Sequence, residues 1–266
     1  IETDSGRFAS ITFDGENYLE YLPRGNFELL FEMEGEEVHW LLQGLEHILE
    51  EKGYREAYRY AVLQPGEGGY VAYATQGNMI LAKRLRVRTS NPLRFALPVD
   101  IVKLLRSAIE KDRPVRFGRI GGHLVCETDT YRFFYRDVTL QDLPFEQVLN
   151  ATNVIATALA KVDTLAASLK RLARFNEKGA VDLELSPEHL TIRTADDSGE
   201  EACETLSDVE STGSAIIRVN ARFLQTLLAA AASSHVELRF GQPTQPLLLT
   251  ADEGRTRAAL APMFKD

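Results

Sequence analysis

The sequence predicts an α+β protein in which one unit, helices packed beside antiparallel sheets, is built twice. Three observations carry that expectation. Residues 216–263 read as strand, helix and meander. Residues 95–118 repeat the hydrophobic pattern of that stretch. Elsewhere, short apolar runs bounded by Gly, Pro, Asn and Asp recur at strand length.

In the C-terminal stretch Ile216, Ile217 and Val219 form a strand running into Asn220, a residue that caps a helix by accepting a backbone N–H. Phe223, Leu224, Leu227, Leu228 and Ala231 then follow at the spacing of a helix buried on one side. Strands at 236–240, 247–250 and 258–261 complete the unit, with turns at 241–244 and 252–254. Laying Arg116-Phe117-Gly118 on Arg239-Phe240-Gly241 brings Ile101, Leu104 and Leu105 onto Leu224, Leu227 and Leu228. The repeat is about 120 residues long.

Taken in order, residues 1–26 hold a strand at 8–13, a turn at Asp14 and Gly15, and a linker. A strand at 27–31 precedes a helix at 36–51 that turns Val38, Leu41, Leu42, Leu45, Ile48 and Leu49 inward. Strands follow at 58–63, 70–75 and 80–87. Gly66, Gly68 and Gly69 lead into a strand rather than a helix, so they read as a hairpin turn and not as a phosphate loop. After the helix at 99–111 come strands at 115–119, 123–128 and 131–137. Residues 142–153, with Pro144, form the connector. The longest helix is expected at 152–174, with Ile155, Leu159, Val162, Leu165, Ala166, Leu169 and Leu172 inward. Strands at 180–185 and 190–194 follow, and 71–75 lies on 190–194 in the repeat.

With 44% hydrophobic and 26% charged residues in 266, the chain has the composition of about two globular domains. No apolar run is long enough to span a bilayer. The first residue is Ile1, so a cleaved tag, a processed product or a fragment is expected. A net charge of −9 argues against a surface that coats nucleic acid throughout, though it leaves room for a basic stripe. Cys126 and Cys203 lack CxxC spacing, so two free thiols in a reducing cytoplasm are expected.

Chemistry-bearing patterns are sparse. His39 and His47 lie about two turns apart, too far for a helical zinc pair. Asp196, Asp197, Glu200 and Glu201 offer oxygen ligands for a hard cation but lack the spacing of a calcium loop, and a solvated turn accounts for them. No nucleophile elbow or acid/base pair is present, and no cofactor is expected. Basic positions on helix surfaces either meet a phosphate backbone or are an ordinary solvated face.

Several motifs carry a family resemblance. Ala72-Tyr73-Ala74-Thr75-Gln76-Gly77-Asn78 resembles the ATDGH-type strand and turn of the bacterial DNA sliding clamp, the beta subunit of DNA polymerase III. Asp142-Leu143-Pro144-Phe145-Glu146-Gln147-Val148-Leu149 resembles its FPDYxxVxP linker. Asn176-Glu177-Lys178, Leu190-Thr191-Ile192-Arg193, Val219-Asn220-Ala221-Arg222-Phe223-Leu224 and Ala261-Pro262-Met263 are similar to its third domain in order and spacing. The resemblance covers about residues 27–264, the family's second and third domains. Departures are Asn78, Met79 and Ile80 for the usual His-Arg-Leu, Asn150 for the linker's second proline, and Phe264-Lys265-Asp266 at the end.

The resemblance implies the DNA-clamp fold, with a first-domain tail at 1–26, clamp domains at 27–141 and 154–266, and a linker at 142–153. It implies a non-enzymatic, cytoplasmic processivity factor that in its full-length form closes into a ring around duplex DNA without sequence preference. Its partners would be replicative and translesion polymerases, the clamp-loader subunit, and mismatch-repair and ligase proteins. Carried over, the peptide cleft comprises Tyr58, Thr75, Gly77, Ile80, Pro144, Val148, Asn220, Phe223, Pro246, Leu247, Leu260, Pro262 and Met263. DNA contact falls to Lys103, Arg106, Lys161, Lys170, Arg171, Arg174 and Arg222. With the ring-forming first domain absent, a monomer is expected. The alternatives are a natural two-domain clamp closing as a trimer and a metal-dependent enzyme built on the turn at Asp196.

Overall fold

The computed structural model describes residues 2–3, 6–7, 22–66, 68–87, 92–138, 142–196 and 198–264. The strand expected at 8–13, the turn at Asp14 and Gly15, and Asp197 of the acidic turn lie outside the described residues.

A two-residue hairpin, β1 (Glu2–Thr3) with β2 (Gly6–Arg7), comes first. The first repeat then runs β3 (Glu28–Glu34), α1 (Gly35–Ile48), β4 (Tyr60–Gly66), β5 (Gly69–Thr75) and β6 (Met79–Leu85). It continues through β7 (Phe95–Pro98), α2 (Val99–Ala108), β8 (Pro114–Ile120), β9 (His123–Glu127) and β10 (Arg132–Arg136). A short helix, α3 (Phe145–Leu149), occupies the connector. The second repeat runs β11 (Ala156–Lys161), α4 (Val162–Leu172), β12 (Ala180–Leu185), β13 (Leu190–Ala195), β14 (Glu201–Leu206) and β15 (Val209–Thr212). It ends with β16 (Ala215–Asn220), α5 (Ala221–Ala231), β17 (His235–Phe240), β18 (Leu247–Ala251) and β19 (Thr256–Leu260).

All pairings are antiparallel. Two four-stranded sheets, β10-β9-β8-β3 and β14-β13-β12-β16, flank a nine-stranded sheet ordered β15-β11-β17-β18-β19-β6-β5-β4-β7. The repeat is visible in these orders: β10-β9-β8-β3 matches β19-β18-β17-β11, and β6-β5-β4-β7 matches β14-β13-β12-β16. The halves join where β19 pairs with β6. The helices form a row, α2 beside α1, α1 beside α5, and α5 beside α4.

Several expectations are corrected. The helix expected at 152–174 is a strand followed by a shorter helix: Ala156, Ala158 and Ala160 are buried with period two, while Ile155 and Leu159 face outward. In the repeat, α2 buries Val99, Val102 and Leu105, the counterparts of Ala221, Leu224 and Leu227 counted from each helix start, and Leu104 is 45% exposed. The alignment on the following strand is therefore one residue out along the helix. A slip of one also separates 71–75 from 190–194, because Tyr73 and Arg193 hold equivalent positions opposite Val62 and Asp182. β14 and β15 were not read from the sequence, whose acidic turn reached only Glu201, the first residue of β14. The connector is helical at its centre.

At the junction of the halves one buried lysine decides the packing. Lys83 on β6 is fully buried and donates from Nζ to the Trp40 carbonyl at 2.8 Å. Its ammonium lies 3.9 Å from the Trp40 ring centroid, and the Arg255 guanidinium lies 4.2 Å from the same centroid. Gly44 makes room for it, since a Cβ there would collide with the lysine side chain and approach the Ala230 carbonyl of α5. Burial pushes the Lys83 pKa down to about 7, with Asp252 and Glu37 opposing that shift and Arg255 adding to it.

This fixes the sign of a pH effect. Unfolded lysine holds its proton up to about pH 10.4, so stability rises with pH from about 7 upward, where only the unfolded state is protonated. Below about pH 7 the full cost, on the order of 4 kcal/mol, is present. Lys83→Met is expected to raise the melting temperature at neutral pH and to flatten its climb between about pH 7 and 9. Thermal unfolding of both proteins across that window checks it, and an unchanged climb would contradict a neutral Lys83.

Candidate functional site

The strands of the nine-stranded sheet send alternate residues to opposite faces. One face meets the helix row through Ala61, Leu63, Tyr70, Ala72, Ala74, Met79, Leu81, Leu247, Ala258 and Leu260. The other carries a smaller cluster, Val62, Val71, Tyr73, Ala82, Leu248 and Ala259, which α3 covers with Phe145 and Leu149. This second cluster crosses the β6–β19 junction, so both halves build it.

α3 is fixed to the sheet by one carboxylate. Glu146 accepts from the Tyr73 hydroxyl at 2.7 Å and pairs with Arg257 at 3.1 Å. Arg257 also donates to the Leu149 carbonyl at 3.2 Å and to Asn150 Oδ1 at 2.9 Å, closing the end of the helix. The Phe145 ring stacks on Tyr73 with centroids 4.9 Å apart. Burial alone would raise the Glu146 pKa, but the Tyr73 hydroxyl and Arg257 overcome it and hold the carboxyl below its ordinary value. Burial and Glu146 push the Tyr73 phenol up.

Beside α3 opens a cleft of about 540 Å³ lined by Arg55, Glu56, Ala57, Tyr58, Val62, Thr75, Gly77, Ile80, Leu143, Pro144, Phe145 and Val148. It brings together six of the residues expected in a peptide cleft: Tyr58, Thr75, Gly77, Ile80, Pro144 and Val148. Thr75 shapes the turn after β5, donating to the Met79 carbonyl at 2.8 Å and accepting from Gly77 N at 3.2 Å. Gly77 has φ +82°, and a side chain there would also press on Tyr58 Oη.

The remaining seven lie apart from this lining. Leu247 and Leu260 are fully buried on the helix side of the sheet, whereas their neighbours Leu248 and Ala259 face the cluster under α3. Asn220 caps α5, accepting from the backbone N–H groups of Arg222 at 2.9 Å and Phe223 at 3.2 Å. Phe223 packs half-buried on the core, and the Pro246 carbonyl accepts from Thr152 at 2.7 Å. Pro262 and Met263 belong to a strap held by Ala261 N to the Asn78 carbonyl and by Met263 N to the Arg218 carbonyl, both 2.8 Å. The strap links the turn beside the cleft to β16. Val62, Leu143 and Phe145 also line the cleft; Val62 was legible from strand alternation, while the other two needed the turn into α3.

On the helix side, four of the seven expected DNA contacts are already ion-paired within the chain. Lys103 meets Glu51, Arg106 meets Glu46, Lys161 meets Asp208, and Arg171 meets Glu204. Lys170, Arg174 and Arg222 have no ion pair among the described residues; Arg222 donates to the Glu177 carbonyl at 3.3 Å. At the acidic turn Asp196 accepts from Ser198 and from Glu200 N, an arrangement that lowers its pKa and closes the loop on itself. Among the described residues no group of acidic, His and Cys side chains is arranged to hold a metal ion. Cys126 and Cys203 are free thiols, and no described helix is long and apolar enough to cross a membrane.

The family model for the DNA polymerase III beta subunit, C-terminal domain, matches residues 147–263. A search of curated protein sequences finds no match. Among solved structures, the Pseudomonas aeruginosa sliding clamp bound to griselimycin superposes with TM-score 0.83 at 20% identity, over 94% of this chain and 69% of that one. The same organism's clamp with a ligand gives 0.81 at 19%, over 92% and 69%. A putative DNA polymerase III beta subunit from Eubacterium rectale gives 0.84 at 14%, over 99% and 73%. The chain therefore has the sliding-clamp fold, and its residues 147–263 match the family model for the C-terminal domain of the DNA polymerase III beta subunit.

Proposed function

We propose that this chain is a processivity factor, with clamp domains at 27–141 and 154–266 joined by the linker at 142–153, that holds partner proteins by short peptides at the cleft beside α3 and faces duplex DNA with its helix row. The observation that carries the reading is the cleft itself. It has an apolar floor, a turn that excludes side chains at Gly77, and a wall fixed by Glu146. The relative bound to griselimycin supports a clamp surface that accepts an external ligand. The partners are those that carry clamp-binding peptides: polymerases, the clamp loader, and mismatch-repair and ligase proteins.

Two buried aliphatic or aromatic side chains contribute roughly 1.5–3 kcal/mol each, and ordering the peptide offsets much of that. A Gln-Leu-x-Leu-Phe peptide is expected to bind at about micromolar strength. Ile80→Glu, which buries a charge in the floor, is expected to weaken it at least about tenfold with the fold intact. Titration of the peptide against both proteins decides the matter, and absence of saturable binding to the wild type removes the cleft from the reading.

DNA contact is expected to be electrostatic and weak, because the paired cations must first leave their carboxylates. With Lys170, Arg174 and Arg222 meeting phosphates, log affinity is expected to fall against log salt with a slope near roughly −2.7, about 0.9 per phosphate. Replacing any one by Ala is expected to reduce the slope by about 0.9, and a slope indifferent to all three replacements would exclude this face.

A further inference from the structure

A smaller cavity of about 150 Å³ lies at the C-terminal end of α3 and shares no lining residue with the cleft. The sheet supplies Arg239 of β17, Thr250 of β18 and Arg257 of β19 to its lining, and the connector supplies Leu149, Asn150 and Thr152. We propose that this cavity is a binding site for a free phosphate-type oxyanion, held by the two guanidinium groups and the Thr250 hydroxyl. The inference depends on neither the peptide nor the DNA reading.

The ladders of the nine-stranded sheet bring these groups together. Arg239 stands opposite Leu248, and Arg257 stands opposite Thr250. Leu248 and Thr250 are two residues apart on β18, so they share a face, the one that carries the cluster under α3. Arg239 and Arg257 therefore rise from that same face on either side of β18. Their strands lie roughly 9–10 Å apart, twice the spacing of neighbouring strands, a gap that two long side chains can bridge through one ion above Thr250.

The hydrogen-bonding groups left over are donors. Arg239 gives only Nε to Glu237, at 2.7 Å, and its two terminal nitrogens have no partner among the described residues. Arg257 commits its terminal nitrogens to Glu146, the Leu149 carbonyl and Asn150, which leaves Nε. The Thr250 side chain makes no hydrogen bond among the described residues. The lining holds two guanidinium groups and no carboxylate, because Glu237 and Glu146 stand outside it. An oxyanion supplies charged acceptors to such donors, and guanidinium forks match its geometry. Donors from three strands approach from three directions, which suits the corners of a tetrahedral phosphate better than the two oxygens of a planar carboxylate. The small volume accommodates the ion itself rather than a phosphate carried on a macromolecule. The Arg257 side chain is only 27% exposed, so its attraction is screened less than that of a surface cation.

The test is calorimetric titration of inorganic phosphate into the whole chain, with chloride at matched ionic strength as the comparison. The wild type is expected to bind phosphate saturably at about millimolar strength and to show no saturable response to chloride. Arg239→Gln is expected to weaken phosphate about tenfold, through loss of charge-assisted hydrogen bonds. Thr250→Val removes a hydroxyl and no charge, and is expected to weaken it about threefold. Both side chains are partly exposed, and a thermal melt of each variant reports that the fold persists. A wild type that responds alike to phosphate and chloride overturns the proposal. So does phosphate binding that both variants leave unchanged, which places the ion elsewhere. A loss on Arg239→Gln with Thr250→Val at wild-type strength also overturns it, since diffuse attraction to cations responds to charge and not to a hydroxyl.

Discussion

The pairing of β19 with β6 is the constraint on which the rest of the architecture depends. Five residues on each strand are in register across it, from Thr256 opposite Lys83 to Leu260 opposite Met79, and they turn two separate sheets into one of nine strands. Strand alternation then gives every residue near the seam a fixed face. On one side α1 and α5 close over Lys83, Met79 and Leu260; on the other, Ile80, Ala82 and Ala259 become floor for α3 and its cleft. The helix row and the cleft are two faces of one seam, so neither can shift along the strands without the other.

The seam is secured differently on its two faces. On the helix side Trp40 of α1 is sandwiched into a cationic setting, with Lys83 donating to its carbonyl and Arg255 reaching its ring while pairing with Glu37. A buried ammonium with one acceptor and an aromatic face is poorly compensated, and the depressed pKa expresses that cost. On the cleft side the polar groups are better satisfied: Glu146 has Tyr73, Arg257 and Asn150, and Arg257 caps the carbonyl end of α3. The wall of the cleft is thus held by charge-assisted hydrogen bonds, while its floor is apolar.

What the sequence disclosed follows the same division between pattern and register. The strand, capped helix and meander of 215–260 were legible because Asn220, the leucines of α5 and the turn residues all agree locally. Ala156, Ala158 and Ala160 were not, because alanine packs as readily in a helix as between sheet and helix, and only the partners on β17 decide it. The cleft residues expected from the first half and the connector converge, since Thr75, Gly77 and Pro144 are turn residues whose chemistry marks their position. Leu247 and Leu260 are apolar on both readings. Their face depends on a count of one along β18 and β19, and an apolar residue carries no local signal of which side of a sheet it faces.

The helix row shows why net charge and a list of basic residues are weak guides to a nucleic-acid surface. α1, which touches both α2 and α5, contributes carboxylates from Glu36, Glu37 and Glu46. Glu46, with Glu51 just beyond the helix, takes up Arg106 and Lys103 of α2. At the far end of the row Glu204 on β14 takes up Arg171, and that hydrogen bond holds the carboxylate below its ordinary pKa. A cation engaged in such a pair releases no counterion when it approaches a phosphate unless the pair opens, so its contribution to affinity is the difference of two similar interactions. A surface built this way largely neutralises itself.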